Sequence, residues 1–304
     1  MEDFAQNTIH KIATDSTTFK NLSIAVRQFL LPNDYISYMG KLSVKDFYDN
    51  EGWKFVGANS RDAIINENLS RVADEYVRKV RLRIQEHLGS GDYLLDVGCG
   101  PIQYPEYVEY SQNFKYRVCV DLSAAALKVA KEKIGDHGIF IQGDYLEIDT
   151  PKEAPFAGAT LINVLYHVDK LSQEGLVRKM LMDISPGGKL VVIYSNPRTV
   201  SANVTKVLVY IKRLLLRLSK GTSPYELKNP IYFYRHPLTF WKRFVDIADI
   251  DMFAWRTFSP ALEKLIFNKY FQGRILLRIL FRIEQFKWWS TFAEYPLIVL
   301  TKKN

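Results

Sequence analysis

Leu94-Leu95-Asp96-Val97-Gly98-Cys99-Gly100-Pro101 is the stretch on which the fold turns. An apolar run, Tyr93-Leu94-Leu95, ends in an acid and then in two glycines one residue apart. This is the pattern of a buried parallel strand entering a tight turn where backbone must come close to a ligand. Pro101 fits the first turn of a following helix, where its missing N–H is no loss. Twenty-five residues after Asp96, a second apolar run, Val118-Cys119-Val120, ends in Asp121. Two acid-tipped strands in tandem, the first with a glycine turn, point to a nucleoside held at the carboxyl edge of a doubly wound sheet.

The kind of nucleoside is narrowed by what is missing. A P-loop needs Gly-Lys-Ser/Thr after the turn, and none follows. The dinucleotide fingerprint needs a third glycine where Gln103 stands, so a pyrophosphate site is poorly supported. No Tyr-x-x-x-Lys-like pair lies near the fourth strand, which further weakens a nicotinamide-dependent oxidoreductase.

Further matches follow in order. Asp121 is followed by Leu122-Ser123 and a helical run over residues 124–133. Ile139-Phe140-Ile141-Gln142-Gly143-Asp144-Tyr145 reads as a third strand and its loop. Residues 159–168, Ala-Thr-Leu-Ile-Asn-Val-Leu-Tyr-His-Val, read as a fourth strand end. Ser185-Pro186-Gly187-Gly188 and the run to Tyr194 read as a turn and fifth strand. With Asp-Val-Gly-Cys-Gly at its head, this series resembles the class I S-adenosylmethionine (SAM) dependent methyltransferases, over about residues 90–195. The resemblance implies SAM as cofactor and S-adenosylhomocysteine as product. It implies a doubly wound, mainly parallel seven-stranded α/β sheet with helices on both faces. It places Asp96, Gly98, Cys99 and Gly100 at the cofactor turn and Asp121 and Leu122 at the ribose. It places Asp144 at the adenine amino group, Tyr145 beside the ring, and Asn163 near the methionine portion. Pro101 and Ile102 depart from the family, where many members continue with glycine.

Composition sets bounds. The 304 residues suit one large α/β domain with additions, and 47% apolar content excludes a mainly disordered chain. Residues 1–7 show no basic start or apolar core of a signal peptide, and no run reaches a membrane span. Cys99 and Cys119 read as small buried hydrophobes in a reducing cytosol, and no cluster has metal-ligand spacing. The expectation is a cytoplasmic protein without a metal, with a peripheral seat at the inner membrane face as a variant. Charge is uneven: residues 195–304 hold 19 Lys and Arg against 7 Asp and Glu, net +12, while residues 1–194 hold 22 against 26, net −4. A basic, aromatic-rich C-terminal third fits an anionic substrate or surface. Nucleic acid is disfavoured, because the cations are interleaved with apolar stripes instead of forming an arm.

Residues 1–58 read as an N-terminal extension that covers the cofactor, and 59–304 as the methyltransferase domain. Residues 22–31 read as a helix stopped by Pro32. Ser60 reads as the cap of a helix running to about Leu88, with Leu69, Val72, Ala73, Tyr76, Val77, Val80 and Ile84 on one face. Residues 237–247 read as a helix, 251–258 as a strand, and 295–301 as the last strand. Two basic amphipathic inserts remain, at about 197–235 and 259–291. The first sets Val204, Val207, Leu208, Ile211, Leu214, Leu215 and Leu218 opposite Lys206, Arg213, Arg217 and Lys220. The second carries Arg274, Arg278 and Arg282 at four-residue spacing. Both are expected to form a lid over the acceptor, since insertions at this edge lie where ligands bind.

The expected reaction is methyl transfer to a small-molecule or lipid-linked acceptor, at a hydroxyl of an anionic substrate. The alternative is a non-catalytic SAM-fold scaffold docked on a membrane by its basic helices. A hydroxyl acceptor needs a base, and His167 and then His236 are the candidates. Tyr48, Trp53, Tyr166 and Arg235 are candidates for acceptor contact. Oligomeric state is left open.

Overall fold

A computed structural model describes residues 44–56, 59–150, 155–201, 231–267 and 270–304, together with Asn203, Val204, Val207 and Tyr210. Seven strands form one sheet: β1 (Gly91–Val97), β2 (Phe114–Asp121), β3 (Gly138–Gln142), β4 (Phe156–Ile162), β5 (Ile184–Ile193), β6 (Ala248–Arg256) and β7 (Tyr295–Lys302). Their order is β3-β2-β1-β4-β5-β7-β6. The first five are parallel, and β7 runs antiparallel to both β5 and β6. This is the doubly wound sheet expected, with an antiparallel pair closing one edge.

The central strands are apolar runs because both faces of the sheet are covered. Leu95 and Val97 point to a core shared with Leu176, Met180, Trp241 and Phe244. Helix α5 (Gln173–Asp183) and a 3-10 turn over Leu238–Phe244 carry those partners. Leu94 points the other way, to Tyr76, Val77, Leu277 and Leu280. Those belong to α2 (Asp74–Leu82) and α7 (Tyr270–Ile283). Between β2 and β3 runs α4 (Ala124–Ile134), capped by the Ser123 hydroxyl, which accepts from Ala126 N. The strand order reverses between β1 and β4, and a cleft opens there.

Several sequence expectations shift. Ser60 does cap a helix, accepting from Ala63 N at 3.1 Å, but that helix, α1, spans only Arg61–Asn66. It breaks because the Glu67 carboxylate is drawn to Arg256 at 3.0 Å and Arg81 at 3.6 Å, with Glu67 itself in extended backbone. Leu69 is consequently exposed instead of packed. The expected helix over 237–247 is the shorter 3-10 turn. The strand expected at 251–258 is β6, which starts and ends earlier. The second insert forms α6 (Pro260–Ile266), α7 and a 3-10 turn over Lys287–Thr291. The helix expected over 22–31 lies outside the described residues. So do Lys206, Leu208, Ile211, Arg213, Leu214, Leu215, Arg217, Leu218 and Lys220; Val204 and Val207 are described and exposed.

The second insert is fastened by buried ion pairs. Arg256 meets Glu263 through Nε at 2.6 Å and Nη2 at 2.7 Å, and Glu67 through Nη1. Arg83 meets Glu284 at 2.9 Å and also donates to the Ala254, Trp255 and Phe281 carbonyls. Glu284 accepts from Tyr76, and from the Thr257 amide and hydroxyl. Removing one member of such a pair strands a charge in the interior. Arg256→Met should therefore cost about 3–5 kcal/mol in a denaturant titration, far more than the loss of a surface pair. A cost under 1 kcal/mol would mean that Glu67 and Glu263 find water once the cation is gone.

Candidate functional site

A cavity of about 660 Å³ lies at the carboxyl ends of β1, β2 and β4, lined by Gly98, Cys99, Gly100, Asp121, Leu122, Asp144, Asn163, Tyr166 and His167, among others. Its floor is the glycine turn. Gly98 (φ 67°) and Gly100 (φ 55°) both have left-handed backbone. A Cβ at Gly98 would collide with the Val164 side chain, and one at Gly100 would lie 3.2 Å from Trp53 Cζ2. Glycine is required at both for conformation and for space.

Below the turn, Asp96 is buried and fully engaged. Its Oδ2 accepts from Arg117 Nε at 3.0 Å and Nη2 at 2.6 Å, and its Oδ1 from Thr160 at 2.7 Å. Asp121 is held differently. Gly100 N donates to Oδ2 and Ser123 N to Oδ1, each at 2.9 Å, which leaves lone pairs on both oxygens. Burial, and more weakly the Asp96 charge, push its pKa up to about 6. Asp144 opens the 3-10 turn Tyr145–Glu147, and its Oδ1 accepts from Leu146 N at 3.0 Å. At the end of β4, Asn163 sits in left-handed backbone at φ 59°, which is uncommon outside glycine. Its Oδ1 is buried without a hydrogen-bond partner. A strained residue presenting an orphaned acceptor beside a cavity is the feature a ligand would satisfy.

Described residues from the first part of the chain pack beside the glycine turn. Tyr48 and Trp53 stack at 4.8 Å, Trp53 rests on the glycine turn, and Tyr48 meets His167 edge-on at 6.1 Å. Asp49 accepts from the Ser123 hydroxyl, and Gln103 donates to Ser60. These bonds tie Asp49 to the segment after β2 and Ser60 to the segment after the glycine turn. Gln103 thus has a positive use where a dinucleotide site would need glycine.

His167 lines the cavity on a 3-10 turn over Leu165–His167. Its Nδ1 lies 3.0 Å from the Tyr232 carbonyl, so that nitrogen is the donor and Nε2 keeps a lone pair. Burial lowers its pKa to about 4, which keeps the ring neutral. Tyr166 is buried beside it, with ring contacts to His167 and Phe233. Arg235 lines the same wall. It bonds the neutral Ser195 hydroxyl at 2.8 Å, and no carboxylate pairs with it among the described residues.

Two expectations need correction. His236 does not line the cavity: its ring stacks on Phe240 at 4.4 Å, and its backbone N–H donates to Tyr194. Tyr145 lines the cavity beside Asp144, with its ring packed on the main core and its hydroxyl donating to Asp183 at 2.5 Å, and Leu146 lines the same wall. Of the second insert only Pro260 lines the cavity, while Arg274 and Arg278 pair outside with Glu75 at 3.6 and 2.8 Å. Sequence reading also missed Phe233 and Ser195, which sit outside the quoted motifs, and Val164, which sits within the fourth-strand segment but was given no role. Asp96, Cys99 and Cys119 converge within 4.8 Å, although their sequence spacing shows no metal pattern. Hydrogen bonding to Cys119, and then burial, holds the Cys99 thiol well above its usual range, and Arg117 already occupies Asp96. The trio is a poor cation site.

Residues 95–192 match a family model described as a methyltransferase domain. The chain carries a methyltransferase domain over those residues. No curated protein matches the sequence. Magnesium protoporphyrin IX methyltransferase from Synechocystis PCC 6803, solved with bound S-adenosylhomocysteine, has the same fold. It is 13% identical with a TM-score of 0.51, and the match covers 87% of this chain and 100% of that one. An N-methyltransferase from Bradyrhizobium japonicum WM9, also with S-adenosylhomocysteine, is 13% identical with a TM-score of 0.48, covering 80% and 95%. Haemonchus contortus phosphoethanolamine N-methyltransferase 2, with SAM, is 14% identical with a TM-score of 0.49, covering 86% and 60%. The site has the features an S-adenosyl ligand would satisfy: a glycine cradle that a Cβ would fill, Asp121 with open lone pairs, and the orphaned Asn163 Oδ1.

If Asp121 takes the ribose hydroxyls as the sequence implies, they donate to its ionised form, so affinity for SAM should be full above about pH 6 and fall as pH drops through it. Asp121→Ala should bind SAM weaker by roughly 1.5–3 kcal/mol at pH 8 and lose that inflection. Titration calorimetry across pH reads both. Calorimetry should also show heat with SAM and S-adenosylhomocysteine and none with NAD.

Proposed function

We propose that this methyltransferase acts on an acidic hydroxyl of an anionic small-molecule or lipid-linked acceptor, with His167 as proton acceptor and Arg235 as anion anchor. Asp121 takes the ribose hydroxyls, and Asp144 the adenine amino group between Leu122 and Leu146. Asn163 Oδ1 takes the methionine ammonium. Tyr48 and Trp53 close the site over the glycine turn. The cofactor supplies a methyl group on an already activated sulfonium, so the protein mainly aligns the acceptor and excludes water.

The observation that carries the reading is the lock on His167. With Nδ1–H donated to Tyr232, Nε2 is left as an acceptor on a ring that burial keeps neutral. An imidazole with a pKa near 4 is a weak base. By Brønsted reasoning it assists a phenol-like hydroxyl better than an aliphatic alcohol. Arg235 supplies the second half. Its guanidinium lines the cavity with only a neutral partner, so an acceptor carboxylate or phosphate completes its bonding at little cost.

The test is S-adenosylhomocysteine formation over a panel of phenols and alcohols, each with and without an acidic group. Acidic phenols should turn over fastest. His167→Gln should lower kcat by roughly 100-fold or more with SAM affinity unchanged. Arg235→Gln should raise KM for anionic acceptors and leave neutral ones alone. Full kcat in His167→Gln would remove the base, and equal KM values would remove the anchor.

A further inference from the structure

We propose that the outer face of α7, with the turn that follows it, docks on the surface of a bilayer containing anionic lipid. The inner face of α7 is satisfied: Leu277 and Leu280 are buried in the core shared with α2. The outer face is apolar and uncovered. Phe271, Ile275 and Ile279 follow at four-residue spacing, so they form one stripe along the helix. They are 76%, 43% and 48% exposed. Beyond the helix end, Phe286, Trp288 and Phe292 are also exposed, and their rings lie 6.3 Å apart in sequence order. Scattered exposed apolar residues are ordinary, but this is a helix stripe followed by an aromatic cluster.

Charge selects the occupant. Residues 259–291 hold six Lys and Arg and two acids. Both acids, Glu263 and Glu284, are buried and bound inward to Arg256 and Arg83. The insert therefore presents only cations outward: Lys264, Arg278, Arg282 and Lys287 are exposed. Neighbouring elements add Glu75, which meets Arg278 at 2.8 Å, and Asp251, which meets Lys287 at 2.7 Å. Those are surface pairs, and an array of lipid phosphates can replace them. A second copy would bring cations against cations, whereas an anionic bilayer complements them. Aromatic and aliphatic side chains rimmed by Arg and Lys are the composition of an interfacial element. No helix among the described residues is long and apolar enough to cross a membrane, so the contact is peripheral. The inference stands apart from the acceptor chemistry, although Pro260 of this same insert lines the cavity.

The test uses the whole chain and vesicles of phosphatidylcholine, with and without phosphatidylglycerol. Sedimentation should show binding to the anionic vesicles only, weakening as salt rises. The variant Phe271→Ser, Ile279→Ser, Trp288→Ser should lose vesicle affinity by about tenfold per side chain removed. It should keep its circular dichroism, thermal transition and SAM affinity. Arg282→Gln, on an exposed side chain, should reduce the salt dependence without touching the fold. Parent protein that ignores anionic vesicles overturns the proposal, as does equal vesicle binding by the triple variant. A patch-dependent dimer in ultracentrifugation without lipid would assign the face to a second copy instead.

Discussion

The buried carboxylate of Asp96 is the constraint around which the site is arranged. A charge taken from water at a strand end is costly unless every lone pair is used. Here Arg117 comes from β2 and Thr160 from β4, so one carboxylate joins three parallel strand ends at the point where the strand order reverses. Arg117 also donates to the Tyr107 carbonyl, which ties in the segment after the glycine turn. The turn above thus rests on a fixed floor, with its Gly98 and Cys99 N–H groups donating to the Val120 carbonyl and its Gly100 N–H to Asp121.

The two acids of the site have opposite tasks, set by their surroundings. Asp96 has a full guanidinium partner and its bonds point inward. Asp121 has only backbone donors, faces the cavity, and has its pKa raised towards 6. Pairing Asp96 with Arg117 is what lets a second carboxylate sit so near and still ionise at neutral pH. The same division holds for the histidines. His167 is held by a carbonyl with one nitrogen left for the cavity, while His236 is consumed by a ring stack.

Much of this was legible in the sequence because it is local. Strand ends, glycines and acids carry their positions in short motifs, and Gly98, Gly100, Asp121 and Asn163 were placed that way. What failed depends on partners far along the chain. Nothing near Glu67 announces that Arg256, 189 residues on, will pull it out of a helix. Arg274 and Arg278 have lid-like spacing, but Glu75 on α2 holds them outside. Periodicity gives a helix its faces and leaves open which neighbour takes each face.

Composition hides a sorting of charge in the same way. The net +12 of residues 195–304 reads as one basic region, but its cations do three kinds of work. Arg256 is internal and neutralises Glu263 and Glu67. Arg235 lines the cavity and bonds the Ser195 hydroxyl. Arg282, Lys264 and Lys287 face solvent beside apolar side chains. Glu284 is matched by Arg83, which lies outside this region, and Glu263 shares Arg256 with Glu67. Folding therefore removes more negative than positive charge from the surface of the second insert. Its outward field is more positive than the sequence count states, and that field lies beside the exposed apolar stripe of Phe271, Ile275 and Ile279.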